Sequence, residues 1–376
     1  MKKLVVLALP LITLLILTIP TQSEALVDSS PSSATLAMHT DLTESTGVRM
    51  YFGQHEFKTY TSGGGTDCYR ITMNYPKVLG IDYRELYDSG STKTVPETRA
   101  KYLDHMLVHD RNNGYLMLVW HMKNWVTGGN YTDESGDPVV NVLPGGTHRT
   151  EYLAGLDDLA DFLNGFNDKD GNLIPVLLRL YHEADNTSFW WAQDGCTNAQ
   201  FISLWQDMVT YLRDTKGVSN VLYCYTPLGK LTFTDRYPGD DYVDIIGIDG
   251  YDADGTVTDI LTTLQTYSNA ANDRGKVAIY SEGIRALNTN PDADFWSTGY
   301  IDPLQADPAT NRFVITAVWR TRTAGNPDSW GPDATRADAS DFNSIYEDGK
   351  IQLIKYSSRM ITNTKISSVG RIGGDQ

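Results

Sequence analysis

Basic residues are scarce in this sequence. Its 376 residues include 31 Lys and Arg against 47 Asp and Glu, a formal net charge of −16. That balance argues against a nucleic-acid partner, because phosphates are bound by Lys and Arg that replace their counterions. It suits a neutral substrate and favours solubility. Cysteine is scarce too: Cys68, Cys196 and Cys224 lie far apart, with no CxxC or zinc-finger spacing. Three thiols allow at most one internal disulfide, whose pairing stays open, and Cys224, inside an apolar run, reads as a buried free thiol. No GxGxxG or Walker loop opens a helix, and no GxSxG elbow, HExxH or calcium loop occurs. Dinucleotide binding, Ser-His-Asp hydrolysis and metal catalysis are therefore disfavoured, and neither cofactor nor metal is expected. Beyond the N-terminal leader no apolar run is long enough to span a bilayer, so no membrane partner is expected.

What is present begins with a targeting pattern. Lys2 and Lys3 precede an apolar run from Leu4 to Ile19, and Ser23-Glu24-Ala25 offers small residues at −3 and −1. That is a secretory signal peptide over residues 1–25, with a membrane anchor as the alternative. The Ser/Thr-rich stretch 26–46 reads as a disordered leader, and 47–376 as one domain with a polar tail after about Ser357. About 350 residues remain after cleavage, an ordinary size for one α/β barrel.

Eight short apolar runs recur: Arg49–His55, Tyr69–Tyr75, Tyr115–Lys123, Ile174–Glu183, Asn220–Pro227, Val243–Tyr251, Lys276–Gly283 and Arg312–Arg320. Several lack alternation, as strands of a parallel sheet buried on both faces do. Between them, Tyr152–Asn164 places Leu153, Leu156, Leu159, Ala160 and Leu163 on one helical face, and Ala199–Arg213 repeats the pattern. The reading is a (β/α)8 TIM barrel, with an open doubly wound sheet as runner-up. A long stretch holding Gly128-Gly129 and Pro144-Gly145-Gly146 follows the third run. Loops of that length in a compact domain are usually functional.

In a barrel the C-terminal ends of the strands converge on one face. The third run ends Trp120-His121-Met122, the fourth Arg179-Leu180-Tyr181-His182-Glu183, the sixth Asp249-Gly250-Tyr251-Asp252, the seventh Ser281-Glu282-Gly283 and the eighth Trp319-Arg320. Two carboxylates ringed by His, Tyr, Arg and Trp suit acetal hydrolysis, which needs a proton for the leaving oxygen and a carboxylate for the oxocarbenium-like centre. A lone strand-end Glu is more often a structural ion pair, and His121 and His182 could be core histidines. Metal ligation is disfavoured because adjacent His182 and Glu183 would project to opposite sides of a strand.

These residues bring a family into view. Gly53-Gln54-His55-Glu56, Trp120-His121, Thr127-Gly128-Gly129, Leu143 to Gly146, Arg179 to Glu183, Phe189-Trp190-Trp191, Ser281-Glu282-Gly283 and Trp319-Arg320 carry the likeness. The chain resembles glycoside hydrolase family 26, best known for endo-β-1,4-mannanases, from about Tyr51 to Tyr346. The resemblance implies a retaining β-glycosidase with Glu183 as acid/base and Glu282 as nucleophile, acting on β-mannan or glucomannan as a secreted enzyme; nothing in the sequence suggests more than a monomer. It implies sugar contacts from His121, His182, Trp319 and Arg320, with Arg179 orienting the nucleophile and Tyr251 hydrogen-bonding it. Trp125 is expected as a sugar platform, and Trp191, rather than its neighbour Trp190, as a cleft wall. His55 and Glu56 could brace the site from below. The chain departs from the family in one place: where the family usually has Met-Asn-Gly-x-Trp after His-Glu, this sequence reads Ala184-Asp185-Asn186-Thr187-Ser188. Loss of an aromatic at Ser188 leaves substrate choice open to a mixed-linkage β-glucan or β-1,3-xylan, and a catalytically dead polysaccharide-binding barrel is the reading from another class. Asn186-Thr187-Ser188 is also a glycosylation sequon, and Asn186 is expected to be unmodified.

Overall fold

Strand segments that are apolar throughout have no polar face to give to water, and here they form a closed wall. The computed structural model describes residues 26–55, 67–87, 95–251, 256–283, 292–319 and 331–355. Eight parallel strands close into a barrel: β1 (Tyr51–His55), β2 (Val78–Asp82), β3 (Tyr115–Val119), β4 (Val176–Arg179), β5 (Val221–Tyr225), β6 (Ile245–Gly250), β7 (Val277–Gly283) and β8 (Phe313–Val318). Closure is made by β1 against β8, from Tyr51 opposite Ile315 to Gln54 opposite Val318. Tyr51, Val78, Met117, Leu177, Leu222, Ile245, Ile279 and Ile315 share one buried cluster inside the barrel. This is the TIM barrel that the run pattern predicts.

Two expectations need correction. The second barrel strand is Val78–Asp82, not Tyr69–Tyr75. Residues Asp67–Thr72 form a short helix whose Cys68 and Thr72, four apart, are its buried positions. The i,i+3 ion pair Arg70–Asp67 at 3.0 Å supports that turn. Tyr75–Pro76 then pairs only with Leu353–Ile354, outside the barrel. Alternating Tyr69, Ile71 and Met73 imitate a strand, whereas Gly80 interrupts the apolar run that is one.

The stretch 26–46 is not a disordered leader. It contains helix α1 (Ser33–Ser45), which closes the N-terminal end of the barrel. Met38 and Leu42, one turn apart, are buried against the inner ends of the strands. The Ser/Thr content is absorbed locally: the Ser32 hydroxyl accepts from Thr35 N as an N-cap, and Thr40, Thr43 and Ser45 donate to carbonyls four residues back. Asp41 accepts from the hydroxyls of Tyr51 (2.7 Å) and Tyr115 (2.5 Å), and Val27 N donates to Asp244 at 2.8 Å. Hydroxyls that suggested disorder by composition are hydrogen-bonded here. Residues 1–25, expected as a signal peptide, and the tail 356–376 lie outside the described residues.

Helices α2 (Val95–Arg111), α3 (Arg149–Gly165), α4 (Asn198–Thr210), α5 (Leu261–Asp273) and α6 (Ala339–Glu347) surround the barrel. The apolar stripe on α3 is as expected, with Leu156, Leu159, Ala160 and Leu163 buried, although Leu153 is only half-buried. Helix α4 starts with a capping box between Thr197 and Gln200 and buries Phe201, Leu204, Trp205 and Met208. All three cysteines are buried free thiols.

Candidate active site

The C-terminal mouth of the barrel gathers side chains from strand ends distant in sequence. Arg179, the last residue of β4, is fully buried. Its Nη1 donates to Glu282 Oε1 at 2.8 Å, its Nη2 to Asp249, and its Nε to Thr226 Oγ1 at 3.0 Å. One guanidinium thus holds carboxylates from β6 and β7, using the fixed fork that lysine lacks. Glu282 reaches this position through a register shift: Ile248 pairs with Tyr280 but Asp249 with Glu282, so β7 carries one extra residue. Such a bulge re-aims side chains. Ser281 turns its hydroxyl to Asp249 Oδ1 at 2.6 Å while Glu282 meets Arg179.

Glu282 also accepts from the Tyr251 hydroxyl, and His55 Nε2 lies 3.8 Å from Oε1. Burial alone would raise its pKa, but Arg179, His55 and Tyr251 outweigh burial and hold it below the usual glutamate range. Asp249 goes the other way despite its bond to Arg179. Complete burial raises it, and the charges of Glu282 and Glu183 add to that. The Tyr251 phenol is raised well above its ordinary value by burial and the surrounding carboxylates, so it stays a neutral donor. His55 lies across the floor because β2 carries Gly80 there; a Cβ at Gly80 would sit 2.1 Å from His55 Nδ1.

Glu183 stands opposite. The chain leaves β4 through Tyr181 and Glu183, both with φ of 51°, in the left-handed region that non-glycine residues rarely adopt. The turn is held by Glu183 N donating to Thr226 O at 2.8 Å and by the Tyr181 and Tyr152 hydroxyls in contact at 2.6 Å. Strand alternation therefore does not apply to His182 and Glu183, contrary to the expectation that they project to opposite sides. The His182 ring lies 4.7 Å from that of His121, and Glu183 lies beside Glu282. Burial and the charge of Glu282 push Glu183 up to about 7, against the bond from Asn186 and the charges of Arg179 and His121. Carboxylate oxygens of Glu183, Asp249 and Glu282 lie within 4.8 Å of one another. Among the described residues this trio is the one group placed to ligate a metal, and Arg179 already supplies its cation. The arrangement presents a protonatable acid to an ionised carboxylate.

Around this pair, His121 is oriented by Asp82, whose carboxylate accepts from its Nδ1 at 2.8 Å and its backbone N at 3.2 Å. His182 is held neutral, well below its ordinary pKa, by burial and then by the nearby His121, Arg179 and His55. Trp319 is half-buried, its ring 4.9 Å from His55 and 6.2 Å from His121. A cavity of about 200 Å³ opens beside His121, walled by Arg84, Tyr87, Trp120, Lys123 and the loop Gly128–Tyr131. The long loop after β3 thus borders the site, as its length suggests.

Two expected sugar contacts are not available. Trp125 is 7% exposed and packs against Tyr87, Trp120 and Tyr152. It sits over Gly155 of α3, where a Cβ would come within 2.1 Å of its ring, so it is a core residue rather than a platform. Trp191, like Trp190, is fully buried, and its Nε1 donates to the His182 carbonyl at 2.9 Å. It braces the turn from behind instead of walling the cleft. Ser188 is exposed on that turn, and Arg320, Glu56 and Asp252 lie outside the described residues. Asp249, Asp82 and Thr226 are the site residues that the sequence reading missed. Asp249 and Thr226 stand at the ends of strand runs, which was a usable signal; Asp82 ends a strand whose place the run pattern gave to Tyr69–Tyr75.

A family model described as glycosyl hydrolase family 26 matches residues 27–285. Over 277 residues, 68% of this chain, the sequence is 29% identical to a mannan endo-1,4-beta-mannosidase of Bifidobacterium adolescentis, and it spans 27% of that protein's length. Among solved structures it is similar to a modular endo-beta-1,4-mannanase from Cellulomonas fimi, with TM-score 0.79 and 29% identity over 91% of this chain and 80% of that one. It is equally similar to the catalytic domain of an endo-beta-1,4-mannanase from Bacillus sp. JAMB-750, with the same TM-score and identity, covering 91% of this chain and 98% of that chain. With a family model covering most of the sequence and the barrel and paired carboxylates described above, the chain belongs to glycosyl hydrolase family 26.

Proposed function

We propose that this protein is a secreted, retaining endo-β-1,4-mannanase in which Glu183 is the acid/base and Glu282 the nucleophile. The observation that carries the reading is the pair itself: carboxylate oxygens within 4.8 Å, with environments that push the two pKa values apart. Retaining glycosidases hold their carboxyl groups about 5–5.5 Å apart, whereas inverting ones leave about 6.5–9.5 Å for a water. Glu183, pushed up to about 7, is largely protonated in the free enzyme below that pH and can give its proton to the leaving oxygen. Glu282, ionised beside Arg179, attacks the anomeric carbon and forms a glycosyl-enzyme. Glu183 then takes a proton from water, which attacks the same carbon and releases Glu282. Tyr251 donates to the nucleophile, and Arg179 fixes its angle of approach.

Substrate choice rests on the likeness to proteins named as mannanases and on a cleft suited to neutral sugars. His121 and His182 supply polar edges, Trp319 a ring face, and the cavity beyond His121 has room for a neighbouring unit lined by Tyr87 and Tyr131. Export rests on residues 1–25, and action as a monomer is part of the same reading. Exposed Ser188 favours a second reading, a wider cleft that admits mixed-linkage β-glucan or β-1,3-xylan. Reducing-sugar release from mannan, glucomannan, barley β-glucan and β-1,3-xylan tests both. Release from the mannose polymers alone supports the first reading, and preference for glucan or xylan replaces it with the second.

A further inference from the structure

We propose that Asn186 is a positioning residue for the acid/base: its side-chain amide keeps Glu183 Oε2 as an acceptor, so that the transferable proton resides on Oε1. The inference rests on Glu183 serving as acid/base. Asn186 Nδ2 donates to Glu183 Oε2 at 2.6 Å. The orientation of that amide is fixed, because Asn186 Oδ1 accepts from Thr187 N at 2.6 Å and only the oxygen can do so. An amide nitrogen offers no lone pair, so a hydroxyl on the oxygen facing it could not donate to it and would be the weaker acceptor of its N–H. The neutral carboxyl therefore favours the form that carries its proton on Oε1.

The backbone of the turn holds this arrangement. Asn186 N donates to Glu183 O at 2.8 Å, and Gln193 N donates to Asn186 O at 2.9 Å. The charged and titratable groups that face Glu183 come from four strand ends: His121 after β3, Arg179 on β4, Asp249 and Tyr251 on and after β6, and Glu282 on β7. None of these five donates to Oε2. Asn186 favours the ionised form, against burial and Glu282, and so limits how far the carboxyl rises. The same nitrogen is the acceptor atom of the Asn186-Thr187-Ser188 sequon, and a glycan there would displace the contact.

The test compares the full-length protein with Asn186→Ala and Asn186→Asp, measuring kcat/KM against pH on mannopentaose and on a dinitrophenyl β-mannobioside, which needs little acid assistance. Losing one hydrogen bond to the charged form should move the alkaline limb on mannopentaose upward by roughly half a pH unit or more. Asn186→Asp keeps the acceptor for Thr187 N but adds a like charge, and should move the limb further the same way. Turnover of the activated substrate should stay within about twofold of the parent, because its leaving group needs little proton transfer. An unmoved limb in both variants, a downward shift, or equal losses on both substrates would overturn the proposal. If Asn186→Ala fails to fold, the Asp variant alone decides by the same criteria. Glu183→Gln run in parallel separates the two ideas: if it loses mannopentaose turnover selectively while the Asn186 variants do not shift, only the positioning role fails. If it keeps both activities, the acid/base reading fails.

Discussion

Replacing Glu183 by Gln should make the folded protein more stable at neutral and alkaline pH, by an amount the site's electrostatics set. Glu183 has a folded pKa of about 7 against 4.5 for an ordinary glutamate. Each pH unit between folded and unfolded values is worth about 1.4 kcal/mol. Below pH 4.5 the carboxyl is neutral in both states and carries no difference. Between 4.5 and about 7 the folded protein binds more protons than the unfolded chain, so stability falls as pH rises. Above 7 the ionised group, half-buried beside Glu282, costs the fold about 3 kcal/mol. The neutral amide of the variant has no such charge. Urea unfolding of parent and variant from pH 4 to 9 should therefore give curves separated by a gap that opens between pH 4.5 and 7 and reaches about 3 kcal/mol. A gap that does not vary with pH would refute the reasoning, since it would mean that Glu183 titrates alike in both states.

Three further perturbations probe the supports. Arg179→Met leaves Glu282 and Asp249 buried without their cation and should cost about 3–5 kcal/mol in stability, read by urea unfolding at pH 7. The pH dependence from Glu282 should also change sign. In the parent its lowered pKa gives stability that is present above 4.5 and lost as pH falls through the folded value, whereas in the variant burial prevails and acidification stabilises. Leu42→Ala on α1 should cost about 2–5 kcal/mol with kcat unchanged, as for a buried leucine remote from the site; a loss under about 0.5 kcal/mol would contradict the plug described for the barrel floor. Asp82→Asn replaces the acceptor of His121 Nδ1 and should lower kcat/KM at least about tenfold, ~1.4 kcal/mol in the transition state, with less than a twofold effect indicating a structural pair only.

Much of the site could be read in the sequence because its main residues stand at the ends of apolar runs, where a barrel exposes them. Arg179, His182, Glu183, Tyr251 and Glu282 all lie at such ends, and the structure brings them together. Residues that act through long-range partners were harder to see. Asp82 belongs to a strand whose Gly80 breaks the apolar pattern, and that glycine is there because His55 lies over it. Asn186 reads as a sequon or a loop residue until the turn folds it back on Glu183. Tryptophans mislead for a different reason. A platform and a core residue have the same side chain, and Trp125 and Trp191 are distinguished only by what covers them: Gly155 leaves room for one ring, and the His182 carbonyl takes the other's N–H. The N-terminal stretch misled by composition, since Ser and Thr hydroxyls that favour open chain can equally bond back along a helix.

The most direct test of the central claim, a double displacement through Glu282, is the configuration of the first product. Proton NMR of mannopentaose hydrolysis, recorded before mutarotation, distinguishes the two stereochemical outcomes. Double displacement predicts the β-anomer first, because two inversions at carboxyl groups this close restore the starting configuration. The α-anomer appearing first would contradict it and would mean that water, not Glu282, attacks the sugar.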